Sequence, residues 1–269
     1  MELLEINKQE YAVQIHQQDE NLPWLLMLHG FMGDHRVFNH LIKDLTVSCN
    51  PVTIDLLGHG QSSKPTDAAR YNESHQIDDI LQLIYKLNLF PLFLYGYSMG
   101  GRLALKTAFK DSDLFRGLIL ESTTNGIEDE DERKERQQID QQRANAVEAD
   151  YEAFLSKWEE AALFQSPLAV DQELLGKYHQ IHLDQNPDAM AASLRGFGTG
   201  LMTPETEYSK GFNKPVMLIA GSADEKYKRI NKQLTNFFSN VHLCFIKAGH
   251  RVHLDNPNEL TNELTNFID

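Results

Sequence analysis

The sequence predicts an α/β fold, with a mainly parallel central sheet, helices on both faces and a helical lid inserted between two strands. Three observations carry this. Short continuous apolar runs, such as Trp24-Leu25-Leu26-Met27-Leu28 and Val216-Met217-Leu218-Ile219-Ala220, have the character of strands buried on both faces. They alternate with segments whose apolar residues recur every three or four positions, the rhythm of parallel strands joined by right-handed crossovers. That rhythm stops after Ser122 and resumes at Pro215, and the stretch between holds helical segments and no convincing strand. The expected division is a core of residues 1–124 and 215–269, with residues 125–214 as the lid.

In order, residues 3–6 and 11–16 read as a short hairpin, the second strand showing partial alternation. Trp24–Leu28 is the first buried strand, and His29-Gly30-Phe31 turns at its carboxyl end. Val37, Phe38, Leu41, Ile42 and Leu45 define a helix by their spacing. Pro51–Asp55 is the next strand, and Leu57-Gly58-His59-Gly60-Gln61-Ser62 follows as a loop in which His59 braces the turn. Ile77, Ile80, Leu81, Ile84 and Leu87 mark a second helix. Leu92–Tyr97 is a strand, Leu103–Phe109 a helix and Gly117–Glu121 another strand.

Within the lid, a charged helix starts near Glu128, with acids crowding the end that the helix dipole makes positive. Arg133, Arg136, Asp140 and Arg143 recur on one face of it, a pattern that also fits a solvated face with internal ion pairs. Tyr151–Trp158 is a second amphipathic helix, on which Trp158 reads as lid core, and Pro187–Arg195 is the last. The sheet then resumes with Pro215–Ala220 and Val241–Ile246, and a helix over Leu260–Ile268 closes the chain.

Composition narrows the function classes. The 269 residues carry 25 Lys and Arg against 39 Asp and Glu, a net charge of −14, which argues against nucleic acid or an anionic membrane as partner. The longest apolar stretch, near Leu22 to Phe31, is broken by Pro23, His29 and Gly30 and falls short of the ~18 residues of a membrane span. The acidic start Met1-Glu2-Leu3-Leu4-Glu5 lacks the apolar region of a secretory signal. Cys49 and Cys244 have no metal-ligand spacing, so no metal site is expected and the cytoplasm is the expected compartment.

The chemistry concentrates at Gly96-Tyr97-Ser98-Met99-Gly100, flanked by a strand and a helix. This is the context of a nucleophile elbow, in which a strained turn presents Ser98 to a cleft. The Met99 N–H at a helix N-terminus and the Phe31 N–H at a strand end would form an oxyanion hole. Asp224 and His250 also fall just past strand ends, completing the chain order Ser, Asp, His. A serine hydroxyl needs a histidine to take its proton, and that histidine needs a carboxylate on its other nitrogen. Asp255, Glu225 and His253 are the competing residues, less well placed.

The His-Gly-Phe turn, Asp55 through Gly60-Gln61-Ser62, the run Gly96-Tyr97-Ser98-Met99-Gly100-Gly101-Arg102 and Ala248-Gly249-His250 resemble the α/β-hydrolase superfamily over nearly the full chain. Arg102 after the double glycine, the pattern Glu132-Arg133 to Arg136 to Asp140, and Leu194-Arg195-Gly196-Phe197-Gly198-Thr199-Gly200 resemble one member family. These are the 2-succinyl-6-hydroxy-2,4-cyclohexadiene-1-carboxylate synthases of menaquinone biosynthesis. The resemblance implies a cofactor-free lyase that eliminates pyruvate from a small polycarboxylate. It implies Ser98, Asp224 and His250 as the triad, with the serine acting through histidine as a base. It further implies substrate contacts from His29, Phe31, Met99, Tyr97, Arg102, Arg133, Arg136 and Trp158 in a monomer or weak homodimer. Where relatives often carry an arginine before the last lid helix this chain has His182, which implies a weaker or pH-dependent carboxylate contact there. A serine hydrolase acting on esters or carbon–carbon bonds is the alternative, and a hydrolase-fold receptor is the non-enzymatic one, disfavoured by the complete set of triad residues.

Overall fold

A computed structural model describes residues 1–204 and 212–269. Eight strands form one sheet: β1 (Glu2–Ile6), β2 (Gln9–Ile15), β3 (Trp24–Leu28), β4 (Asn50–Ile54), β5 (Leu92–Tyr97), β6 (Phe115–Glu121), β7 (Val216–Gly221) and β8 (Val241–Ile246). Their spatial order is β1-β2-β4-β3-β5-β6-β7-β8, with β1 and β2 antiparallel and all pairs from β4 onward parallel. Asn7 and Lys8, both with positive φ, make the two-residue turn of the β1–β2 hairpin, whose backbone twist suits the flanking strands.

Helices cover both faces because the parallel strands are apolar on both. In β3, Leu26 and Leu28 enter one core cluster while Leu25 and Met27 enter the other, the period of two turned to two-sided burial. The first cluster is closed by α2 (Glu73–Leu87) and α3 (Met99–Lys110), through Ile77, Ile80, Ile84 and Leu103. The second is closed by α1 (Asn39–Leu45) and by the last helix of the chain, Pro257–Ile268, through Leu41, Leu45, Leu260 and Leu264. The expected helix from Val37 in fact opens as a 3₁₀ turn over His35–Phe38 before α1 begins.

Between β6 and β7 lie α4 (Glu130–Ala149), α5 (Tyr151–Glu159), α6 (Gln172–Leu183) and α7 (Pro187–Phe197), and no strand among the described residues. Asp129, Asp150, Asp171 and Asn186 cap the four N-termini with their side chains. Ala144, Val147, Phe154, Leu155, Met190 and Leu194 form a third apolar cluster that takes in Met32 from the core. The expectation missed α6, and past β7 it missed α8 (Glu225–Leu234) and the short α9 (Val252–Asp255), which precedes α10 (Pro257–Ile268). No described helix is long and apolar enough to cross a membrane.

Candidate active site

Ser98 sits between β5 and α3 with φ 50° and ψ −106°, a conformation a non-glycine residue holds only where its surroundings enforce it. The enforcing contacts are backbone. The Ser98 N–H donates to the Glu121 carbonyl at 2.9 Å, and the Thr123 hydroxyl donates to the Ser98 carbonyl at 2.7 Å. Glycine is required two residues on: a Cβ at Gly100 would lie 2.3 Å from the Leu28 carbonyl oxygen.

His250 brings Nε2 to 3.2 Å from Ser98 Oγ and Nδ1 to 2.9 Å from Asp224 Oδ2. A carboxylate only accepts, so Nδ1 carries the proton and Nε2 keeps a lone pair facing Ser98. Burial lowers the His250 pKa from 6.5 despite the opposing pull of Asp224, so the imidazole is neutral and able to act as a base. Asp224 is itself held by the Tyr227 N–H at 3.1 Å, as the N-cap of α8.

The rival residues have other partners. Asp255 accepts the Gly249 N–H at 2.7 Å, which shapes the turn that carries His250. His253 is fully buried, with Nδ1 2.8 Å from Glu121 and Nε2 3.2 Å from the Tyr178 hydroxyl. Glu121 also accepts the Tyr95 hydroxyl; burial works to raise its pKa, but His253 and these hydrogen bonds hold it below the usual value. His59 is buried too, and desolvation, with His29 beside it, pushes its pKa to about 3.

The triad opens on a cavity of about 540 Å³ between the sheet's carboxyl end and the inserted helices. Its wall includes Phe31, Tyr97, Ser98, Met99, Arg102, Arg136, Trp158 and His250. Met99 is the first residue of α3, where N–H groups have no partner within the helix. Trp158 packs on the third apolar cluster and is also cavity wall: it stacks on Phe154, 5.7 Å between centroids, and meets Phe31 edge-on at 5.6 Å.

Two expected contacts are corrected. His29 is wholly buried behind the wall: it accepts the Leu56 N–H at Nε2 (2.9 Å), which leaves Nδ1–H for the Gly30 carbonyl (2.8 Å). It braces the turn that presents Phe31. Arg133 also lies off the wall, because the first turns of α4 pack against the 199–201 turn, where Gly200 approaches the Arg133 carbonyl and Gln137 donates to the Gly200 carbonyl at 2.7 Å. The face that meets the cavity starts one turn later, with Arg136, Asp140 and Arg143.

The electrostatics of the wall run against those of the chain. Six basic side chains line it, Arg102, Arg136, Arg143, Lys157, Lys226 and Arg251, against one described carboxylate, Asp140. Asp140 is shared by Arg136 (2.9 Å) and Arg143 (3.3 Å). Arg102 is buried, lies 4.5 Å above the Phe197 ring and donates to the Phe197 carbonyl at 2.9 Å. Burial and then Arg136 lower its pKa to about 10, which leaves it charged at neutral pH. His182 reaches the wall, but its Nδ1 is engaged by Glu159 at 2.6 Å, and burial outweighs that carboxylate and lowers its pKa. Of these, the sequence reading missed Arg143, Lys157, Lys226 and Arg251 as wall residues; only Arg143 had a signal, its place on the Arg136 face.

Two described groups could offer three ligands to a metal, and neither lines the cavity. Asp34, His35 and Asp55 are committed to one another, to Arg36 and to backbone N–H groups. His242, Cys244 and Glu263 lie on the edge strand β8 and α10.

Sheet order, elbow and triad define an α/β hydrolase, and a family model described as the alpha/beta hydrolase fold matches residues 23–257. A Bacillus subtilis (strain 168) protein, 33 % identical over 91 % of this chain and 89 % of its own length, bears the name 2-succinyl-6-hydroxy-2,4-cyclohexadiene-1-carboxylate synthase with a provisional qualifier. A Salmonella arizonae protein with that name unqualified is 25 % identical over 92 % of this chain and 94 % of its own. The structure of MenH from S. aureus is 33 % identical, with a TM-score of 0.89, 96 % of this chain and 97 % of that chain covered. The chain belongs to the α/β-hydrolase superfamily and, within it, to the family of these synthases.

Proposed function

We propose that this protein eliminates pyruvate from 2-succinyl-5-enolpyruvyl-6-hydroxy-3-cyclohexene-1-carboxylate, giving 2-succinyl-6-hydroxy-2,4-cyclohexadiene-1-carboxylate for menaquinone biosynthesis in the cytoplasm. The observation that supports it most is the pairing of a Ser98–His250–Asp224 relay, its imidazole neutral, with six cationic side chains in one cavity of a chain whose net charge is −14. A substrate with several carboxylates gains from such a wall, whereas a lipophilic ester brings no counter-charge to it.

The chemistry follows from the substrate's bonds. The ring C–H next to the succinyl ketone is the acidic one. Ser98 Oγ, giving its own proton to His250 Nε2, removes it. The negative charge moves to the ketone oxygen, where the Met99 and Phe31 N–H groups stabilise it. The electron pair returns through the ring double bond and expels the enolpyruvyl group from C5. The departing enolate takes the proton from His250 and becomes pyruvate. Arg102 and Arg136 hold the carboxylates so that the ring proton faces the base. The helices over the cavity act as a lid that excludes water.

Incubation of the purified protein with the intermediate and a coupled pyruvate assay tests this. Turnover that disappears in Ser98→Ala supports the reading. No pyruvate from a folded wild-type protein refutes it, and covalent labelling of Ser98 by a fluorophosphonate with burst release from simple esters would put a hydrolase in its place.

A further inference from the structure

We propose that Arg251 is a second carboxylate anchor, so that the cavity holds its ligand by two separate anionic groups, one at Arg102 and one at Arg251. The inference rests on the pyruvate-eliminating reading only for the shape of the ligand.

The argument begins with how two guanidinium groups are held. Arg102 stands four residues after Ser98 and Arg251 immediately follows His250, so each is carried by the core beside a triad member. Arg102 lies over the Phe197 ring and donates to the Phe197 carbonyl. Arg251 lies 5.2 Å from the Phe164 ring centroid and donates to the Phe164 carbonyl at 3.0 Å, with the Tyr178 ring 5.3 Å from its guanidinium carbon. Each is therefore clasped by one phenylalanine of the inserted segment, through ring and carbonyl together. Among the described residues neither has a carboxylate partner within salt-bridge distance. Arg136 and Arg143, by contrast, share Asp140.

A guanidinium stacked between two rings is fixed in orientation and partly desolvated, yet its charge is not neutralised. Arg251 Nε is in addition buried with no hydrogen-bond partner among the described residues. A buried donor without an acceptor is unfavourable, and a ligand carboxylate reaching into the cavity would supply the missing acceptor. Arg251 lines that cavity.

The two cations also act on different surroundings. The charge of Arg251 is felt by Tyr97, Tyr178 and His182. That of Arg102, with Arg136 and Arg143, is felt by Tyr227. The Tyr227 ring lies 4.6 Å from the His250 ring between centroids, and that of Phe164, which holds Arg251, lies 6.0 Å from it. The wall thus has two cationic regions, one felt at Tyr227 and one held at Phe164, and both rings lie near the imidazole. A ligand with one carboxylate satisfies one region; a ligand with a ring carboxylate and a second at the end of a short arm satisfies both. Two-point fixation also sets which ring hydrogen faces Ser98, so Arg251 is a positioning residue.

The test is calorimetric binding of three non-reacting aromatic probes to the whole protein. They are 2-(3-carboxypropanoyl)benzoate, which carries both carboxylates, 2-propanoylbenzoate, which lacks the arm carboxylate, and 4-oxo-4-phenylbutanoate, which lacks the ring carboxylate. Wild type should bind the dicarboxylate about tenfold or more tighter than either monocarboxylate, the worth of one charge-assisted contact. Arg251→Gln should bind the dicarboxylate no better than one of the monocarboxylates, and Arg102→Gln no better than the other. Arg251→Lys, which keeps the charge without the fork, should fall between, and it serves as the reporter if the glutamine variant does not fold. Unchanged discrimination in the Arg251 variant overturns the proposal, as does an equal loss for all three probes or the same pairing for both arginines. These outcomes are independent of turnover. Loss of pyruvate release with crossed pairing intact would refute the reaction and leave the anchor, whereas pyruvate release with indifferent binding would do the reverse.

Discussion

Replacing Asp224 by Asn separates the geometry of the triad from its charge, because the new side chain has almost the same shape. The consequence follows from what the two oxygens do. Oδ2 accepts from His250 Nδ1 at 2.9 Å, and Oδ1 accepts from the Tyr227 N–H at 3.1 Å as the cap of α8. An amide cannot meet both demands, since one of its two ends is a donor. If the NH₂ faces His250, it favours the tautomer with the proton on Nε2, and that nitrogen can no longer take the proton of Ser98 at 3.2 Å. If the oxygen faces His250, the NH₂ opposes the Tyr227 N–H, and the cap is lost at about 1 kcal/mol. The first arrangement keeps the cap and silences the base, so it prevails. The same exchange in a serine triad lowers kcat roughly 10⁴-fold, about 5.5 kcal/mol of barrier. Coupled pyruvate release under saturating substrate, beside a melting curve within a few degrees of wild type, measures it. Activity within tenfold of wild type would mean that His250 does not depend on Asp224, and the relay would have to be abandoned.

Other outcomes follow from the same contacts. The acid limb of kcat/KM should have its midpoint below 6.5, since burial lowers the His250 pKa and only the neutral ring accepts a proton; a midpoint above 7 would contradict this. Stability should also fall as pH drops below 6.5: the unfolded chain then takes up protons on histidines that the folded chain keeps neutral, so the unfolded state is favoured. His59, wholly buried with a pKa of about 3, contributes a loss of about 2 kcal/mol by pH 5, and urea melts of wild type and His59→Gln at pH 5 and 8 should show the variant losing less. Two glycine-to-alanine changes should differ in sign. Gly100→Ala drives a Cβ into the Leu28 and His29 carbonyls and should cost about 3 kcal/mol or more, whereas Gly176→Ala, in open space within α6, should raise stability by about 0.4–1 kcal/mol in thermal melts.

The parts of the site that were legible in the sequence are those set by local rules. Ser98, Asp224 and His250 each follow a strand, and a parallel sheet brings carboxyl ends together whatever connects them. The strands showed themselves because two-sided burial leaves continuous apolar runs, and β3 and β8 begin and end where the sequence placed them. The helix α6 also left a signal, with Leu174, Tyr178 and Ile181 at helical spacing behind Asp171, but Gly176 and three polar neighbours interrupt it. Arg251 had none. Its role arises from Phe164, 87 residues earlier in the chain, and nothing local distinguishes it from a solvated arginine. His29 and Arg133 failed for the complementary reason: each has the right residue type on the right element, and only packing against Leu56 and Gly200 shows that it lies off the wall.

The division of labour explains why the family resemblance and the physical reading converge on the triad yet differ at the cations. The relay needs two hydrogen bonds of about 3 Å, one at each nitrogen of His250, a tolerance that only the rigid sheet and its strand ends can hold. Carboxylate recognition is less demanding of position, since a guanidinium reaches several ångströms and can be supplied from the core or from the helices above. Arg102 and Arg251 come from the core and are steadied by phenylalanines of the inserted segment, whereas Arg136 and Arg143 come from α4 and are steadied by Asp140. An insertion of this kind can exchange one cation for another without disturbing the base. His182, neutral and tied to Glu159 on α5, with Arg251 charged close enough to lower its pKa further, is one such arrangement.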